Sequence, residues 1–431
     1  MHNVLNHNNI KHIHFVGVGG IGVSAMARMM KYHGKHVSGS DRTMTPITRD
    51  LEGLGIRVRP GHDEHHVPLF ADLVVYSPAI TPDNPELVRA RALSIPTLSY
   101  PEVLGEISQN AFTIAVSGTH GKTTTTAMIA DVLAKEIYPT VIVGSLLKGG
   151  RSNFVPGHTK RFLVEACEYK RSFLHLHPSV LVITNIDEDH LDYYKDLKDI
   201  QSAFRELALK VPAHGAIVCD TSDPIVQETL AGISVPILNY MAHYNPNREL
   251  FVFGEHNTKN AAIAHTVGDF FEIPEETINE ALKNFQGTWR RSEHKGRTVR
   301  GTEVFDDYAH HPKEIATTLA GFKKRFPDKN IVVVFQPHLY SRTKLFFNDF
   351  VDSLQGADRI LLAPIYAARE AHDSSISHHM LGDVLRQYGK KAESYESLDA
   401  LTHALSRSVE PDDVVVTMGA GDIYQVGEKF L

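Results

Sequence analysis

Cysteine is scarce: Cys167 and Cys219 are the only two in 431 residues, which excludes a disulfide framework and makes a reducing compartment the default. No apolar run is long enough to span a bilayer. The stretch from Met1 to His12 is polar, rich in His and Asn, and lacks the basic-then-apolar order of a signal peptide. Positive charge is not in excess either. With 44 Lys+Arg against 51 Asp+Glu the net charge is −7, which argues against a broad nucleic-acid surface. These absences predict a cytoplasmic protein with no membrane and no nucleic-acid partner. Anionic small molecules stay open, since a few cations and helix N-termini suffice for phosphates.

What is present is a globular composition, 42% hydrophobic and 22% charged, on a chain too long for one ordinary core, so two or three domains are expected. The 26 histidines invite a metal-binding reading, but they stand singly or in pairs such as His65-His66 and His378-His379, without zinc-site spacing. Short apolar strands alternate with helical segments in three blocks, which predicts an α/β protein with parallel sheets. Block 1–106 has strands at 14–18, 36–38, 73–76 and 95–98 around a helix at 21–32. Block 107–287 has strands at 112–117, 161–165, 180–184 and 216–219, and helices at 123–133, 257–270 and 275–284. Block 288–431 has strands at 304–305, 331–335, 359–362 and 414–417.

Gly118-Thr119-His120-Gly121-Lys122-Thr123-Thr124 joins a strand to a helix and carries the most chemistry. Glycines let backbone N–H groups turn onto phosphate oxygens, and the helix N-terminus adds partial positive charge. Lys122 offers an ammonium for β and γ phosphates, and Thr123 a hydroxyl for Mg²⁺. The loop is shortened relative to G-x-x-x-x-G-K-[ST], with Val116 where the first Gly would stand. Glu165 ends a strand, where parallel sheets face ligands, and suits a hard cation; Glu168 is its alternate. Read alone, such a glutamate is more often a solvated or capping residue.

A second phosphate signal opens the chain. Gly17-Val18-Gly19-Gly20-Ile21-Gly22 satisfies G-x-G-x-x-G between strand and helix, and Asp41 follows near the spacing of a ribose-binding acid. In isolation this reads as an NAD-dependent dehydrogenase. Two such loops in tandem, however, call for two phosphorylated ligands, which one NAD does not satisfy.

Further segments complete the pattern: Thr184-Asn185-Ile186-Asp187-Glu188-Asp189-His190-Leu191-Asp192, Gly254 to Ala262 with Asn257 and Asn260, Thr288-Trp289-Arg290-Arg291, Asp306-Asp307-Tyr308-Ala309-His310-His311-Pro312, Gln336-Pro337-His338-Leu339-Tyr340-Ser341-Arg342, and Gly419-Ala420-Gly421-Asp422. Together with the loop at Gly118 they resemble the Mur ligases, in register over nearly the whole chain, and several resemble the alanine-adding branch. The resemblance implies a Rossmann-like UDP-binding domain, a central P-loop-type ATPase domain and a Rossmann-like C-terminal domain. It implies ATP- and Mg²⁺-dependent ligation of L-alanine to the lactyl carboxylate of UDP-N-acetylmuramate through an acyl phosphate. By the same resemblance, Gly17, Gly19, Gly20, Gly22, Ser40, Asp41 and Ser77 would serve the UDP-sugar. Gly118 to Thr124, Asn257, Asn260, Asp306 and Asp307 would serve ATP, the two aspartates at its ribose. Thr123, Glu165 and His190 would hold Mg²⁺, Arg290 or Arg291 the γ-phosphate with Arg290 slightly preferred, and His310 and Arg342 the amino acid. Leu339 departs from the arginine that many members carry, and an Asp-Asp/His-His zinc site is an alternative at 306–311. A murein-peptide recycling ligase and folate polyglutamylation are the neighbouring activities. A monomer and a homodimer are both open.

Overall fold

The structure, a computed structural model, describes residues 10–147, 152–191, 193–252, 254–368 and 370–431; Asp192 of the acidic segment lies outside them. Three sheets organise these residues into three α/β domains. The N-terminal sheet runs in the order Arg57–Pro60, His36–Asp41, His12–Val16, Leu73–Tyr76, Thr97–Ser99, every pair parallel. In the central sheet the order is Ile237–Asn239, Ala216–Cys219, Val180–Ile183, Phe112–Ser117, His158–Glu165, Pro139–Leu147, Ser152–Val155. Only its last pair is antiparallel. The third sheet is ordered Glu293–Arg297, Glu303–Asp307, Val414–Met418, Ile331–Phe335, Arg359–Leu362, Lys391–Ser394, antiparallel only at its first pair.

The middle strands of these sheets are covered on both faces, which is why Val180–Ile183 and Ile331–Phe335 are apolar at every position, Val414–Met418 is apolar at every position but Thr417, and all three are wholly buried. Each such side chain contributes about 1.5–3 kcal/mol of transfer free energy. Helices begin where the sequence offers caps. Ser99 and Glu102 form a capping box at Tyr100–Gln109, Asp223 caps Pro224–Leu230, and Pro312 stands in the first turn of Pro312–Arg325.

The chain divides into two compact units, 1–245 with 259–285, and 246–258 with 286–431. The first holds the N-terminal and central sheets; the second holds the third sheet. Position 106 falls inside the helix Tyr100–Gln109, and a Cβ on Gly105 would stand 2.6 Å from the His175 carbonyl oxygen. The predicted strand at 14–18 stops at Val16, because Gly17, at φ +78°, turns the chain toward the helix Ile21–Tyr32. Edge and polar strands, such as Arg57–Pro60, Ser152–Val155 and Lys391–Ser394, gave no apolar run to read.

Candidate active site

The shortened phosphate loop leaves the buried strand Phe112–Ser117 and enters the helix Lys122–Leu133. Two glycines make that turn. Gly118 has φ +132°, and a Cβ there would overlap Thr184 Oγ1; Gly121 has φ +85° and lies so near Asn260 that a Cβ would come 2.7 Å from its Oδ1. The segment after Val180–Ile183 straps the loop from the other side. Thr184 Oγ1 donates to the His120 carbonyl at 2.6 Å, the His120 N–H donates to Asn185 Oδ1 at 3.0 Å, and the Asp187 N–H donates to Thr119 Oγ1 at 2.8 Å. Of this segment the resemblance assigned a metal role to His190 alone; Thr184 and Asn185, which carried no assigned role, act on the loop.

Lys122 Nζ donates to the Gly118 and Thr119 carbonyls at 2.5 and 3.0 Å and to Glu168 Oε1 at 2.9 Å. Burial alone would lower its pKa, but Glu168 beside it, with Glu165 adding to the field, pushes the ammonium up to about 12. The lysine is therefore charged at any physiological pH. Glu168, the alternate in the sequence reading, is its counter-ion.

Glu165 comes from the end of His158–Glu165, as the register of that strand against Phe112–Ser117 requires. Thr123 Oγ1 donates to its Oε1 at 3.1 Å and the Gly144 N–H to its Oε2 at 2.8 Å. His190, at φ +54°, brings Nε2 within 3.7 Å of Glu168 Oε1 and packs against Tyr169. Glu168 Oε2 is buried with no hydrogen-bond partner among the described residues. A hydroxyl, two carboxylates with an unfilled acceptor and an imidazole, gathered at a lysine-bearing helix N-terminus, form a donor set that fits Mg²⁺ beside phosphate.

The glycine-rich loop of the N-terminal sheet is bound by the neighbouring strand. Gly17 and Val18 N–H groups donate to the Ser40 carbonyl at 2.9 and 3.0 Å, and the Gly19 N–H donates to Asp41 Oδ2 at 2.8 Å. Asp41, expected at a ribose, thus shapes the loop. Ser77 stands directly against Gly17, and Gly22 against the Tyr100 ring. Gly20 precedes the helix Ile21–Tyr32 as its N-cap. Ser40 Oγ donates to Glu86 Oε1 at 2.6 Å, and Glu86 also pairs with His14 and His62 at 2.8 and 2.7 Å. Burial would raise Glu86, but the hydrogen bonds from His14, Ser40 and His62 hold it below the ordinary carboxylate range. Nothing in the sequence pointed to this cluster.

In the second unit the two adjacent arginines part. Arg290 is 2% exposed: Nε donates to Asp306 Oδ2 at 2.7 Å, and the terminal nitrogens donate to the Gly421 and Gly419 carbonyls at 2.7 and 2.6 Å. The rings of Tyr308 and Tyr424 flank the guanidinium. Arg291 is about a third exposed, over Tyr308 and 3.9 Å from Glu314. The slight sequence preference for Arg290 therefore meets a guanidinium spent inside the domain.

Asp306 and Asp307 are likewise spent. Thr417 Oγ1 donates to Asp306 Oδ1 at 2.6 Å; Asp307 accepts from the Ser292 N–H at 2.6 Å and the Ala309 N–H at 2.7 Å. Burial raises the pKa of both. These internal contacts accompany the place at a ribose that the resemblance implies for both. His310 Nδ1 faces the Tyr308 carbonyl at 3.0 Å, and Arg342 lies 3.5 Å from His338 Nδ1, whose ring stacks on Tyr366. The Asp-Asp/His-His zinc alternative finds no such cluster among the described residues. Asn257 and Asn260 are buried in the helix Glu255–Phe270, which starts in the second unit and continues in the first.

Against known proteins, residues 12–112 match the Mur ligase family catalytic domain, 116–249 the Mur ligase middle domain, and 290–421 the Mur ligase glutamate ligase domain. A UDP-N-acetylmuramate–L-alanine ligase of Clostridium botulinum (strain Hall) is 40% identical over 98% of this chain and 97% of its own length. That of Clostridium novyi (strain NT) is 39% identical over 100% of this chain and 99% of its own. Among solved structures, the UDP-N-acetylmuramate-alanine ligase of Thermotoga maritima superposes with a TM-score of 0.82 at 30% identity, covering 97% of this chain and 98% of that one. A murein peptide ligase of Psychrobacter arcticus follows with a TM-score of 0.71 at 25% identity over 97% and 98%. With the three domains matched in order and the likeness extending over nearly the whole length, the chain belongs to the Mur ligase family.

Proposed function

We infer that the protein is an ATP-dependent ligase that joins L-alanine to the lactyl carboxylate of UDP-N-acetylmuramate, a step of peptidoglycan precursor synthesis. The observation that carries this reading is the unequal pair of phosphate loops. The loop at Gly118 to Thr124 bears a lysine kept charged by Glu168, whereas the loop at Gly17 to Gly22 bears none. One suits a phosphate that is to be transferred; the other suits a pyrophosphate that is only held.

Lys122 and the loop N–H groups would gather the triphosphate, and Arg291, in preference to Arg290, would reach its γ-phosphate. The substrate carboxylate attacks that phosphorus to give an acyl phosphate and ADP. The L-alanine amine then attacks the acyl carbon, forming the amide and releasing phosphate. Arg342 would pair with the alanine carboxylate and His310 would stand at the incoming amine. Thr123, Glu165 and His190, with Glu168, would hold Mg²⁺, which when bound offsets charge on the phosphate oxygens. We divide the work among 1–106 for the UDP-sugar, 107–287 for ATP and 288–431 for the amino acid. Scarce cysteine and the demand for ATP support a cytoplasmic location, and no helix among the described residues is long and apolar enough to cross a membrane.

The likeness to a murein peptide ligase makes peptide addition the second reading. One assay separates them: purified protein with ATP, Mg²⁺ and UDP-N-acetylmuramate, a panel of amino acids and a tripeptide, with phosphate release measured. Release that depends on L-alanine is expected. Release dependent on the tripeptide alone, or none with any acceptor, would overturn the assignment.

A further inference from the structure

A side-chain cluster away from both phosphate loops has metal-ligand chemistry of its own. His265 and Asp269 stand one turn apart on the helix Glu255–Phe270, so both project from one face. His243 closes the short turn Tyr240–His243 and reaches the same carboxylate. His243 Nε2 lies 2.9 Å from Asp269 Oδ2, and His265 Nδ1 lies 3.6 Å from that oxygen. The two imidazoles stack at 4.2 Å between centroids with 22° between planes, so a rotation of the side chains is needed to bring both ring nitrogens onto one ion. One donor atom from each residue falls within 4.8 Å of the others. All three belong to the same compact unit.

We propose that His243, His265 and Asp269 form a binding site for a borderline divalent transition-metal ion such as Zn²⁺ or Co²⁺. Bonds of about 2.0–2.1 Å to a tetrahedral ion set ligand atoms about 3.3 Å apart, and the two histidine–carboxylate spacings of 2.9 and 3.6 Å lie within a few tenths of an ångström of that. Two imidazoles with one carboxylate select such an ion against Mg²⁺, which prefers oxygen. Three protein ligands leave a fourth position for water, and the exposure of Asp269 and His243, 43% and 31%, gives an entry path while His265 stays inside. The ion would tie the helix that carries Asn260 to the turn at His243. It is distinct from the Thr123–Glu165–His190 group, which is assembled from other elements.

The test titrates Co²⁺ into the intact, metal-stripped protein in excess Mg²⁺, following visible absorption and calorimetry. Excess Mg²⁺ occupies oxygen-rich sites, so the expected result is one tight Co²⁺ equivalent with the absorption of a low-symmetry nitrogen-ligated ion, displaced by Zn²⁺, and a Zn²⁺-dependent rise in Tm. His265→Ala should weaken that equivalent by about a hundredfold or more. Asp269→Asn, at an exposed position that leaves the fold intact, should weaken it by at least about tenfold. His379→Ala, in the separate surface group with His378 and Glu396, should leave it unchanged. No Co²⁺ equivalent under excess Mg²⁺, or one that persists in both His265→Ala and Asp269→Asn, overturns the proposal.

Discussion

Lys122 sits where two opposed effects meet. Burial favours the neutral amine and Glu168 favours the ammonium; the carboxylate wins, and the pKa rises from 10.5 to about 12. The charged pair therefore contributes its full stability below the ordinary lysine value of 10.5, and that contribution is lost as pH climbs toward about 12. In Glu168→Gln the attraction is gone while burial remains, so the lysine must titrate at lower pH. ATP affinity measured through the alkaline range should hold steady in the parent protein and fall off at distinctly lower pH in Glu168→Gln. Superimposable profiles would mean that Glu168 does not govern the ammonium. The neighbouring arginines give a second residue-scale contrast. Arg290→Ala strands Asp306 without its partner in the interior, a loss of about 3–5 kcal/mol, and should show as a large drop in denaturation midpoint. Arg291→Ala should unfold at nearly the parent midpoint yet lose turnover by about a hundredfold or more, in line with removal of a transition-state cation. The reverse pattern would return the γ-phosphate to Arg290.

At the scale of elements, the phosphate loop is a strand end and a helix start pinned by a second strand end. Gly118→Ala adds a Cβ at φ +132° into the space of Thr184 Oγ1. Loss of most ATP affinity is expected, measured by calorimetry. The double variant Gly118→Ala/Thr184→Ala should recover only part of it, because backbone atoms of Thr184 and Asn185 stay within 3.0 Å and the φ penalty persists. Complete recovery would reduce the role of the turn to one steric contact. The same elements mark how far sequence reading goes. Gly118, Lys122 and Glu165 were legible because their chemistry is local: glycines and a lysine beside a strand, an acid at a strand end. The internal ties of Asp306, Asp307 and Arg290 were not, since their partners Thr417, Ser292 and the Gly419 and Gly421 carbonyls lie on other elements. The cluster of His243, His265 and Asp269 escaped for a related reason: two of its three ligands sit at helical spacing, but the third arrives through tertiary packing.

Over the whole molecule, three apolar-strand blocks gave the three sheets, because doubly covered strands such as Ile331–Phe335 need continuous apolar runs, whereas edge strands need none. Within the first unit two phosphate loops stand at the ends of different sheets, His12–Val16 for one and Phe112–Ser117 for the other. They share no residue, so ligand stabilisation should separate by loop. A ligand that binds only the folded state stabilises it by RT ln(1 + [L]/Kd), about 2.7 kcal/mol at a hundredfold excess over Kd. UDP-N-acetylmuramate and ATP with Mg²⁺ should therefore each raise Tm in the parent protein. In Lys122→Ala the ATP-dependent rise should vanish while the UDP-sugar rise persists. In Gly19→Val, whose side chain would press on Asp41 from a contact already at 2.9 Å for a Cβ, the UDP-sugar rise should vanish while ATP still stabilises. Either variant losing both responses, with its unliganded Tm unchanged, would mean that the two loops serve one ligand, as in a dinucleotide-binding protein, and that the ligase reading of the first unit is wrong.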